Sequence, residues 1–245
     1  MKSKDISIYS LNIKTILLYT KIYNKNKWKN WIDSSSKNQL PPDFYSDKYK
    51  LMMDVMRIDD HAYVDEKGRV INRHNERESK ITKELISKNK IIKSVAEKGN
   101  LFITPDSGLR GYADHNYDYL ANNFKRVVQK HINKIDKYKK NHSGYKTIFF
   151  VLDESSPYVK FFDKKRPKKP GDKIFAQPHL WWLDKNMLNI LKNSGIDYLI
   201  WMCPYKYFEA EVELNFPKAV IYDVKKIKYN KCLNYNNEDM QSLEL

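Results

Sequence analysis

Cysteine is nearly missing from this chain, with only Cys203 and Cys232 in 245 residues. Two thiols alone build neither a disulfide framework nor a tetrahedral zinc site. A reducing, cytoplasmic setting is therefore expected. Long apolar runs are missing as well. None approaches the roughly 18 residues that cross a bilayer, so no membrane partner is expected. The opening residues, MKSKDISIYSLNIK, lack the apolar centre and small-residue cleavage site of a secretion signal. Glycine is sparse, at 7 residues, and no Gly-rich phosphate loop, nucleophile elbow or kinase signature occurs. The six histidines fall into no metal-ligand spacing. Acids are outnumbered, 30 against 45 bases.

The resulting formal charge of +15 suits a polyanionic partner. Lysine supplies 38 of the 45 positive charges, and Asn, Ile and Tyr are abundant, as an AT-rich coding sequence tends to give. The distribution of charge, rather than its total, must therefore decide its meaning. A hydrophobic content of 41% in a chain of this length can bury a sizeable core, and residues 1–245 read as a single α/β domain.

Periodicity gives the element order. Asn12 to Asp33 reads as a helix, ended by Ser34-Ser35-Ser36 and Pro41-Pro42. Lys50 to Ile58 reads as a buried strand. The segments either side of Asp65-Glu66-Lys67-Gly68 read as a hairpin with Gly68 left-handed. Glu78 to Lys98 reads as a helix with Ile81, Leu85, Ile86, Ile91, Ile92 and Val95 inward, closed by Gly99. Asn100 to Thr104 reads as a short strand.

Asp114 to Lys140 is the clearest helix, capped by Asp114. Its apolar stripe runs Tyr117, Leu120, Phe124, Val127, Val128, Ile132, Ile135, Tyr138. Lys146 to Leu152 and Ile196 to Met202 read as strands covered on both faces. Asp184 to Asn193 reads as a helix, Ala219 to Tyr222 as an edge strand, and residues 234–245 as a frayed tail. Strand and helix alternate in the second half, so parallel pairing in a mixed sheet flanked by helices is expected.

The chemistry concentrates in Pro41 to Asp60, PPDFYSDKYKLMMDVMRIDD. Strand alternation puts Met52, Asp54 and Met56 on one face, and Met53, Val55 and Arg57 on the other. A carboxylate among apolar neighbours costs several kcal/mol unless it is paired, hydrogen-bonded or metal-bound. A salt bridge to lysine or arginine is the plain alternative for Asp54. A turn or cap is the plain alternative for Asp43, and a solvated turn for Asp59-Asp60. His61, beside Asp59-Asp60, is a candidate general base or an ordinary surface histidine. Asp153-Glu154 follows a buried strand directly, where ligand crevices form in α/β sheets. Cys203, Trp181 and Trp182 read as core.

Pro42-Asp43, ten residues, then Asp54-Val55-Met56 resembles the motif of the PD-(D/E)xK nuclease superfamily. The resemblance covers Asn12 to Leu152. It implies a restriction-endonuclease-like sandwich in which Asp43 and Asp54 bind Mg²⁺. Asp59 or Asp60 would complete the shell. The motif's lysine position holds Met56, so Arg57 or a lysine from another element would have to supply that charge. The acid that the family carries on its first helix has no counterpart in Asn12 to Trp31. Glu78-Ser79-Lys80, with Asp65 or Glu66, is an alternative form of the motif. Gln129, followed by Tyr138, looks similar to a Gln-containing motif of some branches.

The expected function is a Mg²⁺-dependent nuclease acting on DNA. Phosphate contacts are expected from Lys125, Lys130, Lys134 and Lys137 on the long helix. Further contacts are expected from Lys164, Lys165, Arg166, Lys168 and Lys169, with Phe161 and Phe162 stacking beside them. A homodimer is compatible with the sequence. The rival expectation is a catalytically inactive protein of the same fold that binds nucleic acid or protein, such as a phage or mobile-element regulator or inhibitor of a defence system. A weaker third is an enzyme on a small phosphorylated substrate at Asp153-Glu154.

Overall fold

The computed structural model of the chain describes residues 6–8, 30–34, 42–97, 105, 108–109, 115–162, 176–203, 206, 217 and 219–243. In chain order the first strands are β1 (Ile6–Ile8), β2 (Ile32–Asp33), β3 (Phe44–Ser46) and β4 (Leu51–Ile58). A hairpin, β5 (Ala62–Val64) and β6 (Val70–Asn72), leads into α1 (Arg73–Lys88) and α2 (Lys90–Glu97). Next come α3 (Tyr117–Ile132), α4 (Ile135–Asn141), β7 (Lys146–Asp153), β8 (Tyr158–Phe161) and β9 (Ala176–Pro178). The last elements are α5 (Lys185–Leu188), β10 (Tyr198–Met202), β11 (Ala219–Asp223) and β12 (Met240–Ser242).

A seven-stranded mixed sheet runs β1-β11-β10-β7-β4-β3-β2. Its centre is parallel: β7 pairs with β4 on one side and with β10 on the other. On either side lie antiparallel pairs, β3 on β4, β2 on β3, and β11 on β10, and β1 then joins β11 in parallel. The apolar runs LMMDVMRI and KTIFFVLD sit in this centre because both of their faces are covered. Met52, Met56, Phe149, Val151 and Trp201 enter the larger core on one face, while Met53, Ile148, Tyr198 and Ile200 enter a second cluster on the other.

The larger core lies under α3 and α4. Leu120, Phe124, Val128, Ile135 and Tyr138 are buried in it, at the spacings of a helical stripe. Burial of each such large side chain contributes roughly 1.5–3 kcal/mol. Phe124 stacks on Trp201 at 4.7 Å. The helix read as continuous from Asp114 to Lys140 is two helices, broken at Asn133-Lys134. Its cap is Asn116, which accepts the Tyr119 N–H at 2.9 Å; Asp114 lies outside the described residues.

Several expectations need correction. The helix over 78–98 begins at Arg73, breaks at Asn89, and buries none of its α1 residues. Leu85 is 42% and Ile91 is 76% exposed while Ile81, Ile86 and Ile92 are half-buried, so the described residues cover only part of the stripe that reads as inward. Periodicity reports an apolar face but not whether a sheet lies beneath it. The segment Ala219 to Tyr222 is no edge: all five residues of β11 are buried, between β10 and β1. The tail from Asn234 is not frayed through Leu243. Its β12 pairs with β8 in a three-stranded β12-β8-β9 sheet, and Met240 is 1% exposed. The helix of 184–193 shortens to α5 and a 3₁₀ turn.

The hairpin stands as read, with Gly68 at φ +75° and Asp65 Oδ1 accepting the N–H groups of Lys67 and Arg69. The helix expected from Asn12 falls outside the described residues up to 29; Ile32–Asp33 is strand. The strand of 100–104 and the Gly99 cap also lie outside them.

A candidate metal centre at an opposed carboxyl pair

The register of β3 on β4 pairs Phe44 with Met53 and Tyr45 with Met52. One step further along that antiparallel ladder, Asp43 falls opposite Asp54, so the two side chains share a face. The entry to β3 is fixed by Ser34. Its N–H donates to the Asp43 carbonyl at 2.8 Å, and its hydroxyl donates to the Pro42 carbonyl at 2.5 Å. Asp43 Oδ2 then accepts the Val55 N–H at 2.8 Å.

Asp54 is only 2% exposed. Its Oδ2 accepts the Tyr138 hydroxyl at 2.7 Å and is paired with His131 Nδ1. These partners come from α4 and from the last turn of α3. The break between the helices presents both groups to one carboxylate. The plain alternative of a salt bridge to lysine or arginine is therefore not what is found.

The two carboxyls are set apart in acidity. Burial pushes Asp43 up, and the neighbouring Asp54 charge adds to this, against the Val55 N–H that opposes it. Burial also acts to raise Asp54, but the His131 and Tyr138 hydrogen bonds outweigh it and hold Asp54 below the ordinary carboxylate range. Of the pair, Asp43 is therefore the weaker acid and Asp54 the stronger. Tyr138 is pushed well up by its own burial and by the Asp54 charge, so it stays a donor.

The other expected members of the site are elsewhere. Met56 is 4% exposed in the apolar core and brings no charge. Arg57 points to the opposite face and pairs with Glu154. Asp54 and Ile58 are about 13 Å apart along β4 at roughly 3.3 Å per residue, so Asp59 and Asp60 lie beyond reach of the pair. Asp59 Oδ1 accepts the His61 and Ala62 N–H groups and the Asn123 amide, as a turn-forming acid does. Asp60 is fully buried and accepts Ser156 N–H at 3.0 Å and the Tyr158 hydroxyl at 2.5 Å. Gln129 is exposed on the outer face of α3, where its amide donates to Asn133 at 2.9 Å. Glu78 pairs with His74 on α1 at 3.0 Å, away from the pair.

A second polar cluster closes the carboxyl ends of β4, β7 and β10. Asp153 accepts Ser155 Oγ at 2.6 Å, Ser155 N–H at 3.0 Å, Trp201 Nε1 at 3.0 Å, Cys203 Sγ at 3.1 Å and Lys206 Nζ at 3.0 Å. Burial acts to raise Asp153, yet Lys206 and these donors outweigh it and hold it low. Burial acts to lower Lys206, yet Asp153 outweighs it and holds it high. Both stay charged. A carboxylate offers about four lone-pair sites, and those of Asp153 are filled by the protein. The cluster therefore reads as a buried structural pair, and Cys203, whose thiol is pushed well up by burial, is a member of it.

Of the expected basic residues, Lys125, Lys130 and Lys137 are exposed and Lys134 is half-exposed. Lys164, Lys165, Arg166, Lys168 and Lys169 lie outside the described residues. Phe161 is buried in β8, whereas Phe162 is 67% exposed.

His131 is the residue that sequence reasoning missed. Its signal was present: with Phe124, Val128 and Ile135 it stands on the buried face of the long helical segment, where an imidazole needs a partner. Lys206 carried no comparable periodic signal. Comparison of the chain with protein-family models, with curated proteins and with solved structures finds no match in any of the three.

Proposed function

We propose that this chain is a divalent-cation-dependent phosphodiesterase acting on DNA, built on a restriction-endonuclease-like sandwich. The observation that carries the proposal is the carboxyl pair. Asp43 and Asp54 stand eleven positions apart in the chain, and the β3–β4 ladder brings them opposite each other on one face.

The donor set fits a hard cation. Mg²⁺ is held by one or two carboxylates and completes its shell with water and phosphate oxygens. Asp43 and Asp54 supply the two. Among the described residues no group of three or more His, Cys, Asp or Glu side chains could hold a metal, so the remaining positions fall to solvent and substrate. When bound, the cation would stabilise charge on the phosphoryl oxygens and acidify a water. Asp54 is held in place by Tyr138 and His131. His131, in contact with Asp54 through Nδ1, is a nitrogen side chain beside the carboxylates. The basic outer face of α3 supports a polyanionic substrate.

One observation favours a second reading, a non-catalytic nucleic-acid- or protein-binding protein of the same fold: Met56 is sealed in the core where a catalytic lysine would project. Incubation of plasmid DNA with wild type and with Asp54→Ala, with Mg²⁺ or with chelator, decides between them. Mg²⁺-dependent nicking that Asp54→Ala abolishes is expected. Plasmid left equally intact by both proteins would overturn the enzymatic proposal.

A further inference from the structure

On the side of α3 that faces away from the sheet, the helix and the β5–β6 hairpin enclose an open groove of about 960 Å³. Its lining is Tyr63 and Val64 from the hairpin, and Tyr119, Asn122, Lys125, Arg126, Gln129, Lys130, Asn133 and Lys134 along the helix. Four of these carry positive charge and none carries negative charge. Positions 119, 122, 126, 129 and 133 recur at three and four, so they form one continuous stripe.

The same groove holds a stacked aromatic pair. The rings of Tyr63 and Tyr119 lie 5.2 Å apart and 19° from parallel, and the Arg73 guanidinium sits 5.7 Å from the Tyr63 ring centroid. Neither tyrosine is sealed in the core; both are half-exposed. The stack joins the hairpin to the helix and still leaves part of each ring open to solvent. A strand of unpaired bases would use the groove: a base against the exposed part of the tyrosine pair, phosphates against the cations, and base edges toward Asn122, Gln129 and Asn133. Duplex DNA keeps its bases stacked on one another and offers this groove phosphates only.

We propose that the groove between α3 and the β5–β6 hairpin binds single-stranded nucleic acid, with Tyr63 and Tyr119 as its base-stacking platform. The proposal deepens the nucleic-acid part of the functional reading by naming the strand state, but it does not depend on cleavage. The cations hold the backbone and set the salt dependence. The tyrosines give the preference for unpaired strands. Gln129 belongs to this groove and not to the carboxyl pair.

The test is fluorescence anisotropy in chelator, where no cleavage occurs, with a 20-mer of dT and with a 20-base-pair duplex, using the full chain. The single strand should bind at least about tenfold more tightly, in line with about 1–3 kcal/mol per stacked base. Tyr63→Ser and Tyr119→Ser should each weaken dT binding about tenfold and leave duplex binding within twofold. Tyr63→Phe and Tyr119→Phe, which keep the ring, should restore it and guard against a folding defect. Lys130→Ala should weaken both ligands and lower the salt slope by about one. Equal affinity for both ligands, or Ser variants that bind dT like wild type, overturns the platform. Plasmid that resists cleavage while dT binding follows this pattern would sink the enzymatic proposal and leave the groove standing.

Discussion

Tyr138 donates its hydroxyl to Asp54 Oδ2 at 2.7 Å across 84 residues of sequence, and both side chains are almost fully buried. A buried carboxylate with few donors is costly, and hydrogen bonds to a charged group contribute about 1.5–3 kcal/mol each. Tyr138→Phe keeps the ring and removes only the donor. It should lower unfolding stability by that amount at neutral pH, read from the urea midpoint at constant slope. An unchanged midpoint would show that His131 alone satisfies Asp54.

The carboxyl pair has opposite effects on stability for its two members. Asp54 is held below the ordinary carboxylate value of 3.8. Its contribution is therefore present above the unfolded value and is lost as pH falls through the lower folded value. Asp43 is raised above 3.8. The folded chain then binds more protons there than the unfolded one, and stability falls as pH rises from 3.8 through the folded value. At pH 7 Asp54→Asn should destabilise the metal-free protein, whereas Asp43→Asn should stabilise it and flatten the loss above 3.8. Denaturant titrations from pH 3 to pH 8 check both signs. Destabilisation by Asp43→Asn at pH 7 would mean that the pair is not electrostatically frustrated. Mg²⁺ should raise the melting temperature of wild type and of neither variant.

The parts of this architecture that were legible in the sequence are those fixed by local pattern. The central strands announced themselves as short, mostly apolar runs, and alternation alone put Asp54 and Met52 on the same face. The hairpin followed from Asp65 and Gly68. The partners of Asp54 were less accessible, because a meeting between β4 and the α3–α4 break depends on where the long helix bends. Nothing in Asn133-Lys134 reads as a strong stop, and Tyr138 looked like one more apolar stripe position. Lys206 is a harder case: a lysine becomes buried only when a carboxylate such as Asp153 is already waiting, and that match is tertiary. The α1–α2 stripe failed for the reverse reason, since an amphipathic pattern needs a second surface that periodicity cannot supply.

The Lys206–Asp153 pair gives a prediction about coupling. Each charge is buried and compensates the other at 3.0 Å. Removing one partner leaves the other uncompensated, at about 3–5 kcal/mol. Lys206→Met and Asp153→Asn should each destabilise the chain on that scale. The double variant should cost clearly less than the sum, because residues in one network do not add. Thermal or urea unfolding of the four proteins completes the cycle. Strict additivity would show that the two charges do not depend on each other.

Exposure and burial make opposite demands on two leucines of similar helical setting. Leu120 is fully buried in α3, whereas Leu85 is 42% exposed on α1. Leu120→Ala removes buried contacts and leaves a cavity, and should cost about 2–5 kcal/mol. Leu85→Gln keeps a good helix former and loses little buried area, so its cost should stay within about 0.5 kcal/mol, as for surface substitutions in general. Equilibrium unfolding of both variants at low protein concentration separates these outcomes. A large loss for Leu85→Gln would show that the face of α1 and α2 is covered in solution, and a second measurement at higher concentration would tell whether a further copy of the chain does the covering.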